Sequence, residues 1–289
     1  MAALDAEIDP IAVSPVRARR GPGVLFLCAL AWIVLLTLAA SFAGLLPMPE
    51  PNEMDMLNKR AEPGGAHLLG TDNLGRDMLS RLIYGARISL VVGLLAPTIA
   101  VLIGGTLGML AGYFRGRFEV LTTAGADVLL AFPPLVFALA VTAYLGQSVQ
   151  NLTLVLGVLG IPAFTRVARA VTLSLSEREF VVAARALGAT HARILVRELL
   201  PNVALPLLAF FLLAVAVTIV AEGALSFLGL GVPPPAPSWG SMIGEGRESL
   251  DIAPWLAFMP AGIMFVTVRS FTLVGETLRA LTEPRPGTL

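Results

Sequence analysis

The sequence predicts an all-α integral membrane protein with six transmembrane helices and a polar helix-turn-helix loop on one side. Hydrophobic residues make up 56% of the 289-residue chain and charged residues 14%, against about 45–50% and 25% in soluble domains. Uncharged runs long enough to cross a bilayer, about 20 residues, recur along the chain, and an arginine-rich stretch from Ser176 to Pro201 separates two of them. Cys28 is the one cysteine, so disulfides and cysteine metal sites within the chain are excluded. Two histidines, His67 and His191, stand too far apart in sequence for a metal cluster. Lys59 is the one lysine and lies in no GxxxxGK[ST] motif, so the chain has no P-loop.

The elements follow in order. Residues 1 to 23 are polar and close with Arg17, Arg19 and Arg20, and the apolar run from Val24 to Leu46 then spans the bilayer. A signal peptide cut near Ser41-Phe42-Ala43 is the alternative, but signal cores run to about 7–15 residues and this run is longer; an uncleaved first helix is expected. Residues 47 to 87 are too polar to span. Within them Leu74, Met78, Leu79, Leu82 and Ile83 share one helical face, which predicts a helix lying along the membrane interface.

Helix two is expected from Ile88 to Phe114, with Gly104, Gly108, Gly112 and Gly116 at every fourth position, a strip that lets another helix approach closely. The polar break from Gly146 to Asn151 divides helix three, about Phe118 to Leu145, from helix four, about Leu152 to Val171. Helix five is expected from about Val203 to Leu230 and helix six from about Ile252 to Leu278. Between them, Pro233, Pro234, Pro235 and Pro237 forbid regular helix. Prolines 97, 133, 134, 162, 206 and 260 fall within helices two to six as candidate bends.

The stretch from Ser176 to Pro201 reads as helix, turn, helix. Ser176 and Glu179 have the spacing of a capping box, Gly188 suits a C-terminal cap, Thr190 can cap a second helix, and Pro201 limits it. Phe180, Ala183, Ala184 and Leu187 form one surface of the first helix, and Ile194, Leu195 and Glu198 one of the second. Counting arginine and lysine, an inside N-terminus places thirteen of the twenty on the cytoplasmic side, including Arg17, Arg19, Arg20, Arg115, Arg117 and those of the polar loop. Both termini and this loop are thus expected to be cytoplasmic.

The segments HLLGTDNLGRD, GYFRGRFEV, DVLLAFP, SLSEREFVVAARALGA and AEGALSFLGLGVPPPAPSWGSMI resemble the second, C-type permease subunit of the dipeptide/oligopeptide/nickel ABC importers. The likeness covers roughly residues 66 to 286. Residues 1 to 65 would hold the cytoplasmic tail, the first helix and the start of an extracytoplasmic loop, and 287 to 289 a short tail. AARALG followed by a segment ending LLPN is similar to the family's EAA loop. Val182 and Glu198 depart from its pattern, where glutamate and an aliphatic residue are usual; the alanine pair, the glycine, Leu200 and Pro201 are kept.

The resemblance implies a type I importer permease fold in a bacterial or archaeal cytoplasmic membrane. It further implies a homologous second permease, two ATPase subunits that carry ATP and magnesium, and an extracytoplasmic solute-binding protein; no cofactor on this chain and no nucleic acid are expected. The coupling loop would dock on the ATPase through Glu179, Ala183, Ala184, Gly188, Leu200 and Pro201. Asn73, Pro234, Ala236 and Trp239 would meet the binding protein. The expected cargo is a peptide-like solute, with nickel or another small solute of the same family as the alternative.

A self-sufficient secondary transporter would usually show internal repeats, and an intramembrane protease would show HExxH, GxSxG or paired aspartate motifs; neither signature is present. No catalytic or metal site is expected. Finally, Asp127 and Arg269 each lie roughly 13 Å from the cytoplasmic ends of their helices at 1.5 Å per residue. An ion pair between them is expected, because a lone charge at mid-bilayer costs at least about 2.5–3.5 kcal/mol.

Overall fold

The structure, a computed structural model, describes residues 23–282. Arg17, Arg19, Arg20, Arg285 and the tail from 287 to 289 lie outside them. Among the described residues five helices are long and apolar enough to cross a membrane, and a sharply bent pair counted as one makes six. The first, α1 (Val24–Ser41), is apolar all round and ends five residues sooner than its apolar run, which closes in a 3-10 turn at Ala43–Leu45.

The second span, α2 (Met78–Phe114), is 37 residues long, roughly 55 Å. No separate interfacial helix precedes it, contrary to the sequence expectation. Asp77 caps it by accepting from the Ser80 amide at 2.8 Å, and Met78 and Leu82 are core residues. The apolar face read as membrane-lying is the buried first turns of the span. A π-helical stretch, Val101–Gly105, follows Pro97, consistent with the amide that proline removes from the ladder.

After Arg115 and Gly116, both at positive φ, α3 (Gly116–Leu130) and α4 (Pro134–Leu145) meet at 79°. The single helix expected from Phe118 to Leu145 is therefore broken at Pro133 and Pro134, where two consecutive prolines leave the preceding turn unable to continue. Pro97, Pro162, Pro206 and Pro260 instead lie inside helices that run on past them, with the π-helical stretch after Pro97.

Ser148 caps α5 (Val149–Ser176) through the Asn151 amide at 3.0 Å. The glycine strip of α2 packs on it. A Cβ on Gly108 would stand 2.8 Å from the Ala168 Cβ and 3.0 Å from the Arg169 amide, and one on Gly112 would stand 2.9 Å from the Thr172 Cβ. Gly104 likewise abuts Phe164 and Ile161. Gly116 is not part of the strip; nothing lies within 4 Å of it, and its φ of +64° makes it a turn residue.

A short helix, α6 (Glu179–Ala186), leads to α7 (His191–Phe227), 37 residues long. Pro201 does not end this helix as expected. A π-helical stretch, Ile194–Leu199, precedes it and the chain runs on to Phe227. A short helix absent from the sequence reading, α8 (Trp239–Arg247), is capped by Ser238 and Ser241 and packs its Gly240 against Gly223 of α7. The last span is α9 (Trp255–Thr282). The main core joins α1, α2, α7, α8 and α9 through Leu82, Leu90, Val215, Ile219, Trp239, Leu256 and Phe271.

Candidate functional site

At one end of the bundle the chain between α5 and α7 forms a protruding hairpin. Gly188, at φ +77°, closes α6 in a Schellman motif: its amide donates to the Arg185 carbonyl and that of Ala189 to Ala184, each at 3.0 Å. Thr190 then accepts from the Arg193 amide at 3.4 Å and opens α7. The Tyr113 hydroxyl, 2.8 Å from His191 Nδ1, ties this start to the end of α2. No capping box forms at the head of the hairpin. Ser176 ends α5, its hydroxyl donating to Leu173, and α6 is preceded by Arg178 without a side-chain cap. Glu179 is the first residue of α6, where its charge suits the helix dipole.

The hairpin has two faces. Val181, Ile194, Leu195 and Leu199 are buried together, backed by Met109, Leu110, Tyr113 and Leu175. Ile194 and Leu195 thus pack within this chain and offer no outer surface. Phe180, Val182 and Leu187 point outward, Leu187 at 89% exposure, with Ala183 exposed among them and Ala184 half-buried. Leu200 and Pro201 are exposed directly after the π-helical stretch.

Acids and arginines tie α3 to α5. Arg115 pairs with Glu177 at 2.6 Å, Glu119 with Arg169, and Asp127 with Arg166 at 2.6 Å. The expected Asp127–Arg269 pair is therefore corrected. The depth estimate set Asp127 level with Arg269, but depth says nothing of direction around the helix, and α3 lies along α5. Arg269 is exposed and makes no hydrogen bond or ion pair among the described residues.

At the opposite end the segment from His67 to Arg81 folds onto α8. Asp72 accepts from Arg76 at 2.5 Å and lies 3.4 Å from Arg81 Nε, while Glu245 of α8 receives both arginines at 2.8 and 3.3 Å. Arg81 is only 1% exposed. Balanced acids and arginines within a few positions of one another, Asp72, Arg76, Asp77 and Arg81, are the signal in the sequence, but the partner helix that supplies Glu245 is not legible there.

Of the four residues expected to meet a binding protein, Pro234 is exposed and Ala236 half-buried. Trp239 is 0% exposed, its indole donating to the Leu82 carbonyl at 3.1 Å, so it is a core residue. The Asn73 amide is engaged by Arg60, Ser249 and the Glu245 carbonyl and serves to hold its loop. Below them Glu222 of α7 is wholly buried and accepts from Ser89 at 2.8 Å and Ser226 at 2.6 Å.

Between these two ends a groove runs along α5 and α7. Its outer part, about 540 Å³, is walled by Pro134, Ala138, Leu159, Ala163, Val217 and Thr218. Its inner part, about 780 Å³, is walled by Val167, Ser174, Arg178, Asn202, Pro206 and Arg279. Phe210 and Leu213 border both.

The model of the family described as binding-protein-dependent transport system inner membrane component matches residues 104–286. The chain is 39% identical over 254 residues to the glutathione transport system permease protein GsiD of Pectobacterium atrosepticum, covering 87% of this chain and 84% of that one. It is 36% identical over 260 residues to the dipeptide transport system permease protein DppC of Alkalihalophilus pseudofirmus, covering 89% and 86%. In fold it is similar to a chain of the inward-facing MetNI methionine ABC transporter, with a TM-score of 0.59 and 17% identity over 72% of this chain and 98% of that one. The bundle, the hairpin and these likenesses together place the chain in the family of binding-protein-dependent inner membrane components, as a multi-pass permease subunit of the ABC importer type.

Proposed function

We propose that this permease forms half of the translocation path for a peptide-like solute and is driven by ATP hydrolysed on partner ATPase subunits, to which α6 couples it. The observation that carries this reading is the outward apolar face of α6, Phe180, Val182 and Leu187, held by the Gly188 turn at the head of α7. Because α7 continues for 37 residues, roughly 55 Å, through its π-helical stretch, a displacement of the hairpin is carried toward the opposite end of the bundle along one helix.

In this reading both termini and the hairpin are cytoplasmic, and ATP and magnesium sit on two ATPase subunits. A homologous second permease closes the path, and an extracytoplasmic binding protein delivers solute near Pro234 and Ala236. The chain itself contributes no covalent chemistry. The relatives named as glutathione and dipeptide permeases support peptide cargo over nickel. The test is Leu187→Asp together with Phe180→Asp: loss of ATPase co-purification with the permease pair still assembled is expected. Undiminished co-purification would refute α6 as the docking element. Binding of a labelled peptide panel to the partner binding protein checks the cargo.

A further inference from the structure

Asp127 and Arg166 form an ion pair whose side chains are 55% and 56% exposed. Asp127 lies roughly 16 Å along α3 from its start at Gly116, inside a bent pair of helices apolar enough to cross a hydrocarbon layer about 30 Å thick. A short carboxylate there cannot reach an interface as a long cationic side chain can, and lipid does not tolerate an exposed charge at that depth. This face of the bundle is therefore covered in the assembled importer by protein or by water rather than by lipid.

The groove between α5 and α7 adjoins it. Arg166 lies between the wall residues Ala163 and Val167 on α5, and Asp127 precedes the α3–α4 break whose far side, Pro134, is also wall. Each part of the groove, about 540 and 780 Å³, falls in the range of about 300–1,000 Å³ usual for small-molecule pockets. The outer part has no charged wall residue, whereas Arg178 and Arg279 line the inner part; the pair therefore supplies the charge at the level between them, and a guanidinium presents a planar fork suited to a carboxylate.

We propose that this groove is the chain's wall of the translocation path and that Arg166, held in place by Asp127, is a charged contact for the carboxylate of the passing solute. The second part rests on the peptide reading given above; the first does not. A neutral wall would carry an amide or an ester as readily as an acid, whereas a cation at its edge makes passage depend on a free carboxylate.

The wall is tested in the whole importer, in liposomes, with Cys28 replaced by serine. Ala163→Cys on α5 and Val217→Cys on α7 are expected to react with a charged, membrane-impermeant thiol reagent at rates that differ between the nucleotide-free and ATP-trapped states. Leu95→Cys, half-exposed on α2 away from the groove, is expected to stay unreactive. Groove cysteines as inert as Leu95→Cys would overturn the wall.

The contact is tested by maximal transport of dialanine and of its C-terminal amide at saturating binding protein. Arg166→Gln is expected to lower dialanine transport about tenfold, the loss of roughly one charge-assisted hydrogen bond, while leaving amide transport unchanged; Arg166→Lys should restore part of the difference. Equal losses for both peptides, or poor assembly of Arg166→Gln with no difference between the peptides in Arg166→Lys, would overturn it. Failure of the unmodified importer to move either peptide would refute the peptide reading and the carboxylate contact together, with the thiol result still deciding the wall.

Discussion

Replacing Gly108 with alanine tests whether the glycine strip holds the bundle together. The added Cβ would stand 2.8 Å from the Ala168 Cβ, whereas carbon pairs sit best at about 3.5–4.0 Å. The Thr165 carbonyl oxygen stands closer still, so helix α5 must retreat by at least roughly 0.7–1.2 Å. A gap of that size forfeits a quarter to a half of each contact well of about 0.1–0.2 kcal/mol. Over some tens of atom pairs between Gly104 and Gly112 the loss is about 2 kcal/mol, within the range of about 1–3 kcal/mol for overpacked cores. Lipid supplies no hydrophobic force to replace it, since helix association in a bilayer relies on packing.

Gly125→Ala is the control, because no atom lies within 4 Å of its Cβ position and alanine favours helix by about 1 kcal/mol. The detergent-solubilised importer, heated and then separated by size, should lose its assembled peak several degrees sooner with Gly108→Ala, roughly 4–8 °C, and no sooner with Gly125→Ala. If both variants survive alike, the close approach of α2 to α5 is not what maintains this interface.

Gly188→Val forces a β-branched residue into φ +77°, at a cost above the roughly 1–2 kcal/mol that any Cβ incurs there; ATPase co-purification and transport should both fall. Glu222→Ala leaves the Ser89 and Ser226 hydroxyls buried without an acceptor, a loss of about 1–3 kcal/mol read as a lower melting midpoint, whereas Glu222→Gln should keep most of the stability. Arg81→Met leaves Asp72 and Glu245 to share Arg76, and assembly should fail or weaken by about 3–5 kcal/mol, measured as survival on heating. A charge exchange at Asp127 and Arg166 should recover the assembly lost in either single variant, because the pair re-forms, but not dialanine transport, because a carboxylate then stands at position 166; an exchange of Asp127 with Arg269 should recover neither.

The sequence by itself determined the class, the number of spans and the place of the hairpin. Apolar run length, the Gly188 turn and the glycine spacing from Gly104 to Gly112 are local properties, and local geometry fixes what they do. The same holds for the resemblance, whose motifs are contiguous. What only the tertiary structure decided is direction around each helix and the identity of partners. Asp127 and Arg269 share a depth, but the packing of α3 along α5 hands Asp127 to Arg166. Leu82 and Met78 looked membrane-facing until α7, α8 and α9 covered them. Trp239 sat in a loop by pattern, yet it enters the core because α8 folds back on α2. Pro201 should have ended a helix, and a π-helical turn before it carried the chain on. Helical spacing defines which residues share a face; what that face meets is set by elements far away in sequence, which no local pattern encodes.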